Sequence, residues 1–150
     1  MRLAGAPTNW LSGCYSRSGE LQCPLTSTRY PGTPLDAHPV PGLTGRPTQL
    51  ALGRDYACAR MADASVWCWG SNDRGQLGQG DLDARAQAVR LALPPAEKIA
   101  VGTTHACAAT SDGLWCWGSN SHAELGDGTT EERPLPVRSQ FTGSLIAAGD

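Results

Sequence analysis

At 150 residues, with 40% hydrophobic and 17% charged residues and a formal net charge of -2, the chain has a composition that implies neither disorder nor a membrane class. It also lacks any lysine or arginine run that would mark a nucleic-acid or anionic-membrane surface. Its 18 Gly and 11 Pro interrupt it too often for long helices and favour short strands and turns, an all-β class.

The N-terminal stretch Met1–Pro7 has one arginine and no apolar run of the length a secretory signal needs. If the protein is exported, its natural start is expected upstream. Residues 8–23 read as two short segments about the turn signal Ser18-Gly19, with Cys14 and Cys23 at their ends. Residues 24–49 are rich in Pro and Gly (Pro31-Gly32, Pro34, Pro39, Pro41-Gly42, Pro47), which excludes a helix and marks a long connection with at most one edge strand.

A short apolar run ending in glycine then recurs three times, as Leu50-Ala51-Leu52-Gly53, Ile99-Ala100-Val101-Gly102 and Ile146-Ala147-Ala148-Gly149. The string Trp67-Cys68-Trp69-Gly70-Ser71-Asn72 returns as Trp115-Cys116-Trp117-Gly118-Ser119-Asn120. Each copy is preceded by a second cysteine, Cys58 or Cys107, and followed by Leu77-Gly78 or Leu125-Gly126. A repeat with a period near 50 residues is the organising feature. Its divisions are expected at 8–49 (a degenerate copy with Gln22 and Pro24 in place of the tryptophans), 50–98, 99–145 and 146–150, within one incomplete domain.

If Cys107 stands opposite Cys116, antiparallel register sets Ala108 against Trp115 and Ala109 against Leu114, with Thr110–Gly113 as a tight turn. The second copy has one more residue between its cysteines, which predicts a longer loop or a bulge. Strand alternation sends Trp115 and Trp117 to one face and Cys116 to the other, and Trp67 and Trp69 likewise around Cys68. A sheet with tryptophans on one face and a crosslink on the other is expected to be covered on both, as in a propeller blade or a solenoid rung. Leu77-Gly78 and Leu125-Gly126 read as short last strands, followed by variable connections at 79–93 and 127–141.

The six cysteines form three local couples, Cys14 with Cys23, Cys58 with Cys68 and Cys107 with Cys116. Disulfides there would place the protein in an oxidising compartment, extracellular, periplasmic or at the cell surface; reduced, buried thiol pairs are the alternative. No Cys-x-x-Cys occurs and His38, His105 and His122 are scattered, so neither zinc nor any other metal or cofactor is expected. Asp81-Leu82-Asp83 and Asp127-Gly128 resemble pieces of calcium loops without the full ligand series, and a turn role is expected for them. His105 stands where the other copy has Tyr56, so a structural role is expected. No nucleophile elbow or other placed catalytic motif is present, and an enzyme is not expected.

These residues resemble the regulator of chromosome condensation repeat family. The resemblance is carried by Gly102 to Cys107-Ala108, Ser111-Asp112-Gly113, Trp115 to Asn120 and Leu125 to Thr130, matched by Gly53 to Cys58-Ala59 and Trp67 to Gly80. It implies blades of a seven-bladed β-propeller, of which about three repeats are present, an incomplete ring completed by further blades or by self-association. The paired cysteines look most like bacterial, exported members. The family's fold implies a non-enzymatic protein-binding scaffold, with Trp67, Trp69, Gly70, Trp115, Trp117 and Gly118 structural and an unidentified protein partner. The partner loops are expected at Asn72, Asp73 and Arg74 and at Asn120, Ser121 and His122, where the copies differ. The resemblance also implies, as alternatives, guanine nucleotide exchange on a small GTPase, although no insertion resembling the namesake's wedge is present, and enzyme inhibition by a propeller surface; exposed tryptophans offer glycan binding as a further alternative.

Overall fold

A computed structural model describes residues 42–140 and, N-terminal to them, the backbone of three short strands. Those strands, β1 (Tyr15–Arg17), β2 (Glu20–Pro24) and β3 (Ala37–Pro39), form an antiparallel sheet in the order β1-β2-β3. Arg17 stands opposite Glu20, on either side of Ser18-Gly19, and β3 lies within the Pro-rich connection.

Two four-stranded antiparallel meanders follow. One contains β4 (Pro47–Leu52), β5 (Tyr56–Met61), β6 (Val66–Gly70) and β7 (Arg85–Arg90). The other contains β8 (Ala96–Val101), β9 (His105–Thr110), β10 (Gly113–Gly118) and β11 (Arg133–Arg138), each in sequence order. The central hairpins have the expected register, Cys58 opposite Cys68 and Cys107 opposite Cys116. Every tryptophan of the repeated string faces an alanine across the strand: Trp67 and Ala59, Trp69 and Ala57, Trp115 and Ala108, Trp117 and Ala106. Pairing the largest side chain with the smallest keeps the sheet face level enough for another sheet to pack on it.

The hairpin turns differ by the one residue counted in the sequence. Gly113 closes directly on Thr110. In the other copy the Met61 amide donates to the Ser65 carbonyl at 2.8 Å and Ala64 takes a left-handed conformation with φ 69°. That is a three-residue loop ending on a left-handed residue.

The outer strands lie elsewhere than the sequence reading has them. Leu77-Gly78 and Leu125-Gly126 are turns, and the fourth strands are Arg85–Arg90 and Arg133–Arg138, inside the stretches read as variable connections. Leu77 and Leu125 are fully buried, and their amides donate to Asn72 and Asn120 side chains at 3.0 Å instead of to a ladder. Pro134 and Pro136 are tolerated because β11 is the last strand in its sheet, where absent donors cost no ladder bond.

Both outer strands change register at the glycine of the repeated string, between Cys68 and Gly70 and between Cys116 and Gly118. Gly70 and Gly118 have φ of 110° and 100°, and a Cβ at either would sit 2.6 or 2.5 Å from the carbonyl oxygen of Asp55 or Thr104. Glycine is required at both by conformation and by close approach.

The two meanders stack face to face. Tyr56, Cys58, Val66, Cys68, Leu77 and Leu91 of the first meet Ala96, Ile99, Ala106, Ala108 and Trp117 of the second in one apolar cluster. On the rear face of the first, Trp67 and Trp69 pack with Leu50, Leu52, Ala57, Ala59 and Met61. The front face of the second carries Cys107, Ala109, Leu114, Cys116 and Leu125. Each sheet thus turns its tryptophans backward and its crosslink forward, as strand alternation predicts.

Candidate functional site

The segments that follow the Trp-Cys-Trp-Gly string form two loops of one design. Asn72 Nδ2 donates to the Asp81 carbonyl (3.1 Å), Asp81 Oδ1 (3.0 Å) and the Asp83 carbonyl (2.9 Å). Asn120 Nδ2 donates to Asp127 Oδ1 (3.1 Å) and to the carbonyls of Thr129 and Glu131 (both 3.0 Å). Both asparagines are about as buried as a side chain can be, at 1% and 0% exposure. A buried amide that fills its donors and its acceptor this way fixes the loop around it.

An ion pair closes each loop from outside. Arg85 Nη2 reaches Asp81 Oδ2 at 2.6 Å and Arg133 Nε reaches Asp127 Oδ2 at 2.7 Å. The hydrogen bond from Arg85 is the main reason the Asp81 carboxyl titrates below its ordinary value. Desolvation works to raise the pKa of Asp127, and the bonds from Arg133, Thr129 and Asn120 outweigh it, holding the group well below the usual carboxylate range. Each acid also accepts the amide two residues on, Asp83 N at 3.0 Å and Thr129 N at 2.9 Å, which is the turn role expected of them. Among the described residues no three His, Cys, Asp or Glu side chains are grouped so as to hold a metal.

The six residues expected to meet a partner divide by burial. Asn72 and Asn120 point inward and support the loops. Asp73 is exposed and accepts from Gln76 Nε2 at 3.2 Å. Arg74 is exposed but pairs with Glu132 of the neighbouring sheet at 2.7 Å. Ser121 and His122 lie on the surface, Ser121 Oγ 3.1 Å from His122 Nδ1, and the side chain of His122 is 86% exposed. Glu124 accepts the His122 amide at 2.8 Å, the position that Gln76 takes under Arg74 in the other loop. The Asp–Arg brace is absent from the sequence reading. Its available signal is that Arg85 and Arg133 each lie 13 residues after the asparagine, whereas the acid moves from nine residues after Asn72 to seven after Asn120.

The tryptophans sort in the same way. Trp117 is fully buried and Trp69 is 8% exposed, while Trp67 and Trp115 are half-buried, their indole N–H groups donating at 2.9 Å to Ser65 Oγ and Asp112 Oδ1. His105 is buried, and its carbonyl accepts the Tyr56 hydroxyl at 2.5 Å.

Both cysteine couples within residues 42–140 are disulfide-bonded, Cys58 to Cys68 and Cys107 to Cys116, with Cα atoms 4.1 and 4.0 Å apart. Cys14 and the side chain of Cys23 lie outside the described residues. Among the described residues no helix is long and apolar enough to cross a membrane.

Stacked four-stranded antiparallel meanders, each with its tryptophans behind and its crosslink in front, are blades of a β-propeller. Two family models of the regulator of chromosome condensation (RCC1) repeat match, one over residues 63–109 and 111–150, the other over 48–76 and 96–124. The chain belongs to the RCC1 repeat family. Its fold is similar to yeast RCC1 (Prp20) crystallised with Kap60 (TM-score 0.68, 25% identity, 87% of this chain and 36% of that one). It is also similar to Prp20p of Saccharomyces cerevisiae, whose structure was described together with its binding to Gsp1p and histones (TM-score 0.68, 24% identity, 87% and 37%). Human WBSCR16 is a third similar structure (TM-score 0.64, 23% identity, 71% and 28%). The chain spans about a third of the length of these proteins. Comparison with curated protein sequences gives no match.

Proposed function

We propose that the chain is a non-enzymatic protein-interaction scaffold and part of an exported protein, its repeats divided at 50–98 and 99–145. The observation that carries this reading is the pair of braced loops. Asn72 and Asn120 hold the same frame, while the exposed positions on it differ, Asp73 and Arg74 in one and Ser121 and His122 in the other. Rigid frames with differing surface residues suit selective recognition of a protein surface at low ordering cost. The disulfides support an oxidising compartment.

A photo-reactive residue placed at Asp73 or at Ser121 tests the reading in cells of the source organism. Cross-linking of one and the same protein from both positions is expected, with recovery reduced at least tenfold by His122→Glu. Failure of either position to cross-link, or cross-links unaffected by His122→Glu, would overturn it.

The likeness to yeast RCC1 favours a second reading, nucleotide exchange on a small GTPase. Release of a fluorescent guanine nucleotide from such a GTPase, no faster with the chain than without it, would remove that reading.

A further inference from the structure

Among the described residues, two large hydrophobic side chains stand mostly in solvent, Leu82 at 55% and Leu135 at 54% exposure. A lone exposed leucine is ordinary, but these two come from different blades to one place on the outer rim. The Gly80 amide donates to the Pro134 carbonyl at 2.8 Å, and a Cβ on Gly80 would lie 3.3 Å from Leu135 Cδ2. Leu82 follows two residues after Gly80, within about 7 Å of chain. The patch therefore lies across the seam of the two described blades and on neither end of the stack. Its floor is firm, because a Cβ on Gly75 would sit 2.6 Å from Pro134 Cα, so the loop of the first blade lies directly on the β11 backbone.

The repeat itself does not ask for leucine at either position. Leu82 stands three residues before the bracing Arg85, and its counterpart three before Arg133 is Thr130. Leu135 stands two residues after Arg133, and its counterpart two after Arg85 is Gln87. Thr130 and Gln87 are both exposed. A framework role would recur in both copies, as the buried asparagine and the arginine do, and the leucines do not recur.

Residues 73–85 and 127–133 flank the patch and carry six carboxylates against three arginines. Each arginine is already engaged, Arg74 by Glu132 at 2.7 Å, Arg85 by Asp81 at 2.6 Å and Arg133 by Asp127 at 2.7 Å. Asp83 is exposed and has no ion pair among the described residues, and Glu131, 77% exposed, lies 3.7 Å from Arg133 Nη1. The rim thus presents apolar surface bordered by surplus negative charge. Such a border repels an anionic lipid surface and a second copy of the same rim, and it attracts lysine and arginine.

We infer that this seam is a docking site for a cationic protein segment, which lays apolar side chains on Leu82 and Leu135 and sets lysine or arginine against Asp83 and Glu131. Burial of the leucines supplies the favourable transfer, and the carboxylates supply orientation and speed of association. Pro134 and Pro136 withhold amide donors from the outer edge, so the segment is held by side chains and not by strand addition. The seam adds a second surface to the scaffold reading, and a synthetic ligand tests it whether or not the braced loops find their partner.

The whole chain is titrated into a fluorescein-labelled peptide of alternating leucine and lysine, and binding is read by anisotropy. Saturable binding is expected, with a leucine–glutamate peptide and a serine–lysine peptide each at least tenfold weaker. Leu82→Thr/Leu135→Gln, which gives each position the residue of the other blade, is expected to weaken binding at least tenfold, and Asp83→Lys/Glu131→Lys likewise, each shown to be folded by its thermal transition. Full-strength binding by either folded double variant overturns the proposal, as does equal binding of either control peptide. Binding to phosphatidylserine vesicles in place of the peptide, or a dimer by light scattering that Leu82→Thr/Leu135→Gln dissociates, overturns it in favour of a lipid surface or a second copy. If a double variant does not fold, Leu82→Thr or Asp83→Lys alone is read by the same criterion.

Discussion

The indole N–H of Trp117 donates to the backbone carbonyl of Gln76 at 2.8 Å, joining the repeated string of one blade to the loop of the blade before it in a fully buried place. Trp117→Phe removes the donor, strands that carbonyl and leaves space beside Leu77 and Leu91. An unpaired buried acceptor and a partial cavity together cost about 2–4 kcal/mol. Urea unfolding should show the loss, with tryptophan fluorescence corrected for the missing fluorophore.

Tyr56 ties the same seam through its hydroxyl, and burial holds its pKa well above the ordinary tyrosine value. The phenol stays protonated in the folded chain while it ionises in the unfolded chain. Its contribution is therefore complete below about pH 10, the value for an unfolded tyrosine, and is lost as pH rises from there through the folded pKa. Tyr56→Phe should lower stability at pH 7 by about 1–2 kcal/mol. It should also flatten the decline between pH 9.5 and 11, measured by denaturant midpoints at each pH.

Asn120 satisfies a loop from inside, and no smaller residue reproduces its bonds. Asn120→Ala leaves the Leu125 amide and the carbonyls of Thr129 and Glu131 without their partner, a loss of about 3 kcal/mol if only some are recovered by water. Ser121→Ala, on the surface beside it, should change stability by no more than about 0.5 kcal/mol. Differential scanning calorimetry on the pair separates a framework role from a surface role.

Ala64 occupies a left-handed conformation that costs an alanine roughly 1–2 kcal/mol. Ala64→Gly relieves this and loses part of the gain to the greater freedom of the unfolded chain. A net stabilisation of about 0.5–1 kcal/mol is the expected outcome, read as a higher thermal midpoint.

Cys14 and Cys23 are expected to be joined in the N-terminal repeat as the other couples are in theirs. Digestion under non-reducing conditions should release a peptide pair linking them. Free thiols, or a crosslink from either one to another repeat, would count against it.

The hairpins were legible in the sequence because Trp-Cys-Trp-Gly and the cysteine nine or ten residues before it fix both alternation and register at once. Ala108 and Ala109 could be set against Trp115 and Leu114 from that alone. The outer strands were not legible. Arg133–Arg138 carries two prolines, Arg85–Arg90 buries only Ala88 outright, and neither shows a face that alternation would single out. Leu77 and Leu125 looked like strand ends because an apolar residue beside a glycine looks the same whether it plugs a loop or closes a ladder. Asn72 and Asn120 looked like surface residues because a polar residue in a polar loop gives no sign of which way it points. Only the fixed distance to Arg85 and Arg133 hinted at the brace.

Pro134 and Pro136 give the outer rim a further significance. With two amide donors missing from the last strand of its sheet, and the Pro134 carbonyl already accepting the Gly80 amide of the neighbouring blade at 2.8 Å, a fifth strand finds little to hold. Addition of new sheet material is thereby directed into the stacking direction, blade upon blade, and lateral fibre growth from this edge is suppressed.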